Sequence, residues 1–175
     1  MGGQGIGTHN YKEVLMAEVT VSGLAIDVKN NSPVVILKEK EGERILPIWI
    51  GAFEANAIAM ELAGINFKRP LTYDLVSSIL YGLEADIKKV VVSELKDNTF
   101  FAKIFVHTSK SVLEIDARPS DSIVLALKTK SCILVEDDLL DNFSDEADEK
   151  SKYNPQELRD RLKHINPEDF GDFKL

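Results

Sequence analysis

Four carboxylates, Glu54, Asp74, Asp116 and Asp121, and two guanidinium groups, Arg69 and Arg118, are the side chains of this 175-residue sequence best suited to act together on a substrate. Carboxylates that converge bind Mg²⁺ or Mn²⁺ and activate water, while a planar guanidinium grips phosphate oxygens through two parallel hydrogen bonds. On that chemistry Glu54, Asp74, Asp121 and Arg118 are the catalytic candidates, Asp74, Asp116 and Asp121 the ligands for a divalent metal, and Arg69 and Arg118 the phosphate contacts. Trp49 and Phe53 suit stacking on bases, although their place beside an apolar hairpin favours the core or a subunit contact.

Each acid also has a structural reading. Glu54, Asp74 and Asp121 fall near the start of predicted helices, where the macrodipole alone favours an acid by about 0.3–1 kcal/mol. They converge only if three helix N-termini face one cleft. Asp116 sits between Ile115 and Ala117 in a predicted strand, a disfavoured place for Asp, so it either points to solvent or serves as a ligand or a partner for Arg118. Arg118-Pro-Ser-Asp121 reads as a self-contained turn: Pro119 fixes φ, Ser120 caps the helix, and Arg118 forks onto Asp116, Asp121 or Asp74.

The elements that must position these groups are written twice. Leu46-Pro-Ile-Trp-Ile-Gly-Ala-Phe-Glu54 and Leu113-Glu-Ile-Asp-Ala-Arg-Pro-Ser-Asp121 both read as a strand feeding an acid-capped helix, 67 residues apart, and the same offset carries Lys29-Asn-Asn-Ser32 onto Lys96-Asp-Asn-Thr99. Only five identities join residues 18–64 to 85–131, so the pattern rather than the residues makes the match. In the first unit a strand over 17–28, bulged at Gly23, precedes a hairpin of 33–37 and 45–50 and a helix over 52–63 closed by Gly64. A helix over 73–83, N-capped by Thr72, shows Leu75, Val76, Ile79, Leu80 and Leu83 on one face. Strands over 87–95, 100–107 and 112–117, a helix over 120–128 and a last strand over 132–135 complete the second unit. The expected fold is α+β, two β-β-β-α units (about 18–64 and 85–131) joined by a helix, and then an acidic linker and a C-terminal helix.

Composition narrows the function. Residues 136–175 hold 13 acids and 6 bases, a net −7 of the chain's −8, which leaves 16 acids and 15 bases in a nearly neutral body. Bulk charge argues against a broad basic face for nucleic-acid backbone and leaves local patches at Lys68-Arg69, Lys88-Lys89 or Arg118, which weakens nucleic-acid binding without excluding it. Beyond Val135 the chain reads as too acidic to pack a core, hence a linker, with a short helix over 155–165 after it. The domain is expected over 17–140. Residues 1–16 read as a disordered, glycine-rich leader without signal-peptide order, no window is apolar enough to span a membrane, and the lone Cys132 reads as a core residue, all of which fits a cytoplasmic protein.

At Leu46-Pro-Ile-Trp-Ile-Gly51 with Glu54, Arg69-Pro-Leu-Thr-Tyr-Asp74, Phe100-Phe-Ala102 and Ile115-Asp-Ala-Arg-Pro-Ser-Asp121, the sequence resembles the bifunctional nuclease family. The resemblance spans roughly residues 17–140, and Asn166-Pro-Glu-Asp-Phe-Gly-Asp-Phe-Lys-Leu175 is similar to the tail of bacterial members. It implies duplicated strand-rich units, self-association as a homodimer or larger assembly, and nuclease activity on DNA and RNA. Thr72-Tyr73-Asp74 departs from the family's usual Thr-His-Asp, which removes the most obvious general base; His9, His107 and His164 lie outside the motifs. Two readings follow: a metal-dependent nuclease, or a non-catalytic oligomeric binding or regulatory module on the same fold.

Overall fold

A computed structural model describes residues 15–27 and 31–150, the last seven as backbone only. Seven strands form one mixed sheet: β1 (Met16–Asp27), β2 (Ser32–Glu39), β3 (Ile45–Trp49), β4 (Asp86–Lys96), β5 (Thr99–His107), β6 (Val112–Ala117) and β7 (Cys132–Glu136). Four helices accompany them: α1 (Ala52–Leu62), α2 (Thr72–Gly82), α3 (Pro119–Thr129) and α4 (Asp137–Lys150). The sheet order is β3-β2-β1-β7-β4-β5-β6, so each unit supplies three consecutive antiparallel strands and β7 joins them. β7 runs antiparallel to β1 and parallel to β4. Ser32, Ile45 and Ala52 open β2, β3 and α1, and Thr99, Val112 and Pro119, each 67 residues later, open β5, β6 and α3. The fold is α+β.

Local chemistry explains most boundaries. Gly23 takes a positive φ of 156° at the register shift of β1 against β2, a conformation that favours glycine. Asp97 and Asn98 both lie at positive φ in the two-residue turn between β4 and β5, the primed geometry that matches strand twist, and Asx side chains tolerate it. Gly64, at φ 65°, follows the end of α1. The core lies where Val35, Leu37, Leu46 and Ile48 of the first unit, Val90, Val92 and Ile104 of the second, and Ile58, Ile123 and Val124 from the helices meet.

Several expectations are corrected. The acidic stretch after Val135 is a helix, α4, with Leu139 and Leu140 in the core. Arg44 ties its first turns to the sheet: the guanidinium reaches Asp137 at 2.7 Å and Asp141 at 2.6 Å while holding Glu39 at 2.6 Å. Cys132 is half-buried rather than core. α2 buries no residue fully; Tyr73, Val76 and Leu80 lean on the core, while Leu75, Ile79 and Leu83 face outward, so the five apolar positions straddle the contact instead of filling it. Leu71, not Thr72, occupies the N-cap of α2, and its backbone N–H donates to the Asp74 carboxylate at 2.8 Å. Ser120 lies inside α3, whose N-cap position belongs to Arg118. The leader expected over 1–16 ends earlier, since Met16 already belongs to β1 and pairs with Glu136; residues 1–14 and the helix expected over 155–165 lie outside the described residues.

Candidate functional site

α1 and α3 lie side by side and point the same way, because their first turns meet through Glu54 and Arg118 and Lys128 of α3's last turn meets Glu61 of α1's last turn. α2 leans across α3, and its Tyr73 reaches α3's first turn. The initial turns of three helices therefore meet at the Arg118–Asp121 pair, α1 through Glu54 on the guanidinium and α2 through Tyr73 on the carboxylate. Arg118 donates from Nε and Nη2 to the two oxygens of Asp121 at 2.7 and 3.0 Å, and Nη1 lies 2.8 Å from Glu54 Oε1. Tyr73 donates its phenolic proton to Asp121 Oδ1 at 2.7 Å. A Cβ at Gly51, the N-cap of α1, would collide with Glu54 Oε2, so glycine leaves room for that carboxylate to fold back over the helix start.

The electrostatics follow from these contacts. Burial works to raise Asp121, but hydrogen bonds from Arg118 and Tyr73 outweigh it and hold the carboxyl below the usual value. Burial first, and then the bond to Asp121, pushes Tyr73 above the ordinary phenol range, so it stays a protonated donor and does not replace the imidazole as a base. Arg118 remains 65% exposed on its side chain while both carboxylates beside it are sheltered, which leaves one guanidinium edge facing solvent. Phe53, next to Glu54, is 81% exposed and Trp49 is 48% exposed with its indole N–H on Asp27 at 3.0 Å. Neither aromatic is a core residue.

Asp74 takes no part in this cluster. It binds Lys128 at 2.6 Å, and Lys128 in turn lies 2.5 Å from Glu61, a partly buried bridge tying α1, α2 and α3 at the opposite end of α3. A cavity of about 300 Å³ opens there, lined by Met60, Phe67, Leu71, Tyr73, Asp74 and Lys128. Asp116 stands exposed on the edge strand β6, opposite Lys103 of β5. Arg69 is exposed in the loop between α1 and α2 and forms no ion pair with a described residue. Among the described residues no group of three or more acids, His or Cys is placed to hold a metal ion. With Asp74 on Lys128, Asp116 on the sheet edge and Asp121 on Arg118, the expected ligands do not fit a shared Mg²⁺ or Mn²⁺ in this arrangement. Glu61 and Lys128 were not singled out by sequence, and Tyr73 only as the residue in place of the family's usual His; of the first two only Lys128 carries a signal, a cation in a helix's last turn.

The Lys128 bridge sets an acid limit. Lys128 lowers Asp74 chiefly through their hydrogen bond, with help from the Leu71 N–H. A depressed folded-state pKa means the contribution is complete above the unfolded carboxylate value near ~3.9 and disappears as pH falls through the folded one. Lys128, against the pull of burial, is raised by Asp74 and Glu61, so its share is complete below about 10.4 and is lost only at more alkaline pH. Thermal melts should show this bridge flat between roughly pH 5 and 9, with part of the decline below pH 4 removed by Asp74→Asn; equal acid slopes in both proteins would mean the bridge does not form.

A mixed-sheet α+β domain with an arginine clamped at the meeting of three helix starts defines a specific class. The model of the bifunctional nuclease domain matches residues 35–148, and the chain belongs to that family. It is also 36% identical over 164 residues to two uncharacterized Mycobacterium tuberculosis proteins, Rv1829 of strain ATCC 25618 / H37Rv and MT1877 of strain CDC 1551 / Oshkosh, covering 89% of this chain and 98% of each relative. No described helix is long and apolar enough to cross a membrane.

Proposed function

We propose that the protein is a nuclease that hydrolyses phosphodiester bonds of DNA or RNA at the Arg118 cluster. The carrying observation is the sheltered pair Glu54 and Asp121 on one half-exposed guanidinium, in a chain of nuclease family. Hydrolysis needs a cation on the non-bridging phosphate oxygens and a base to take the proton of the attacking water. Arg118 supplies the first, its fork matching phosphate as it matches carboxylate. Displacement of Glu54 from Nη1 by phosphate frees that carboxylate to take the proton of the attacking water; as the new P–O bond forms, the P–O bond to the sugar oxygen opposite breaks, and that oxygen leaves with the proton returned from Glu54. Asp121, held ionised by Arg118 and Tyr73, fixes the direction of the guanidinium, and Phe53 offers an exposed ring for a neighbouring base.

A second reading, a non-catalytic oligomeric binding or regulatory module, rests on a specific observation. Arg118 already faces two carboxylates, so the cluster carries a formal −1, and Asp74 is likewise paired. Labelled single-stranded DNA and RNA incubated with purified protein in Mg²⁺, Mn²⁺ or EDTA, beside Glu54→Gln and Asp121→Asn, separate the two. Cleavage lost in the variants is the expected result, and the EDTA arm reports whether a metal takes part. Cleavage unchanged by either substitution, or absent from a folded wild type, gives the second reading.

A further inference from the structure

The outer side of α2 is an exposed apolar surface that no other described residue covers. Leu71, Leu75, Ile79 and Leu83 follow one another at intervals of four, which places them in one stripe along the helix, and Leu62, Ile65 and Phe67 extend it across the loop from α1. These seven residues are each between 38% and 70% exposed. At on the order of 100 Å² for a half-exposed large side chain, they present roughly 700 Å², above the ~300–600 Å² of a typical monomer's largest patch and close to the ~800 Å² that each partner gives a standard interface.

We propose that this stripe seats the same stripe of a second copy of the chain, α2 against α2 in antiparallel register about a twofold axis near residue 77. The sequence of the stripe is symmetric about that point. A twofold there sets Leu71 opposite Leu83 of the other copy and Leu75 opposite Ile79, an isologous contact in which every apolar group meets another. The flanking charges obey the same symmetry: exposed Arg69, before α2, falls beside exposed Glu84, after it, and neither forms an ion pair with a described residue of its own chain. Parallel pairing would set Arg69 against Arg69 and Glu84 against Glu84. Gly82 is the last residue of α2, and a Cβ there would meet nothing within 4 Å, so the space beside it is open to close approach of a second helix. Because α2 buries no residue of its own, this contact also steadies the helix that carries Tyr73 to Asp121 and Asp74 to Lys128.

Sedimentation velocity on the full-length protein should show a dimer, and Leu75→Glu/Ile79→Glu should give a monomer with an unchanged far-UV spectrum. Glu84→Arg should weaken the dimer about ten-fold, two symmetric pairs being lost, and adding Arg69→Glu should restore it. Should the double-glutamate variant fail to fold, Ser78→Cys in a Cys132→Ser background replaces it, and a short bis-maleimide should link two copies near the axis. A monomeric wild type overturns the proposal and leaves the stripe to residues 151–175 or to another protein. A dimer indifferent to Leu75 and Ile79, or no cross-link at position 78, also overturns it and directs attention to the exposed edge of β6.

Discussion

Arg118→Ala should lower kcat for phosphodiester cleavage by about 10²–10³-fold, the usual loss when one preorganised donor to a developing anion is removed. The side chain is mostly exposed, so no cavity forms and the fold should survive. Its removal does leave Glu54 and Asp121 sheltered without their shared cation, and two like charges then face each other. Asp121, now below the ordinary value through Arg118 and Tyr73 against the pull of burial, should rise, so acid should inactivate the variant's residual activity at a higher pH than it does the wild type. Arg118→Lys should recover little: an ammonium restores the charge but not the fork that engages Asp121 through two nitrogens and Glu54 through the third. Steady-state kinetics with separate kcat and KM make the test. A rise in KM alone would make Arg118 a binding group that treats substrate and transition state alike, and no change would place the chemistry elsewhere.

Much of this fold was legible from period and punctuation. The strands over 87–95 and 100–107, the break at Asp97-Asn98 between them and Pro119 at the start of α3 are local signals, and the structure keeps them within a residue or two. The 67-residue offset relates the starts of β2, β3 and α1 to those of β5, β6 and α3, and the Arg118–Asp121 half of the site lies within one turn. What sequence did not reveal depends on partners far along the chain. Glu54 meets Arg118 only because α1 and α3 are neighbours, 64 positions apart in sequence, and Asp74 meets Lys128 across 54. The expectation that three acids converge treated Asp74 and Tyr73 by type; helix geometry turned Tyr73 toward Asp121 and its neighbour Asp74 toward the other end of α3. Trp49 and Phe53 stay out of this chain's own core, Trp49 because the inward face of β3 belongs to Leu46 and Ile48, and Phe53 because it stands exposed in the first turn of α1.

Leu140→Ala should destabilise the protein by about 2–5 kcal/mol, the range for a large core side chain reduced to a methyl. Denaturant titration would read this directly, and at roughly 2–4 °C per kcal/mol for a chain of this size the melting temperature should fall by about 5–15 °C. The magnitude follows from burial: Leu140 has no exposed surface and belongs to the same apolar cluster as Leu46, Ile48 and Val135. It is the least local of the core contributions. Composition assigns Glu136-Asp-Asp-Leu-Leu-Asp141 to solvent, because four acids surround two leucines and an unpaired acid would not be drawn toward a core. Arg44, 93 and 97 positions away from Asp137 and Asp141, reverses that balance by taking one carboxylate on each side of the leucine pair while Glu39 fixes its own orientation. Those three acids hold Arg44 above its already high value, so its charge persists at any pH at which the protein folds. Arg44→Met, which keeps the stem and removes the charge, should therefore loosen α4 and carry part of the Leu140→Ala loss, and the double variant should lose less than the sum of the two. Strictly additive losses would mean that Leu140 holds the helix without Arg44, and a loss below 0.5 kcal/mol for Leu140→Ala, the scale of a surface substitution, would mean that α4 is not docked at all.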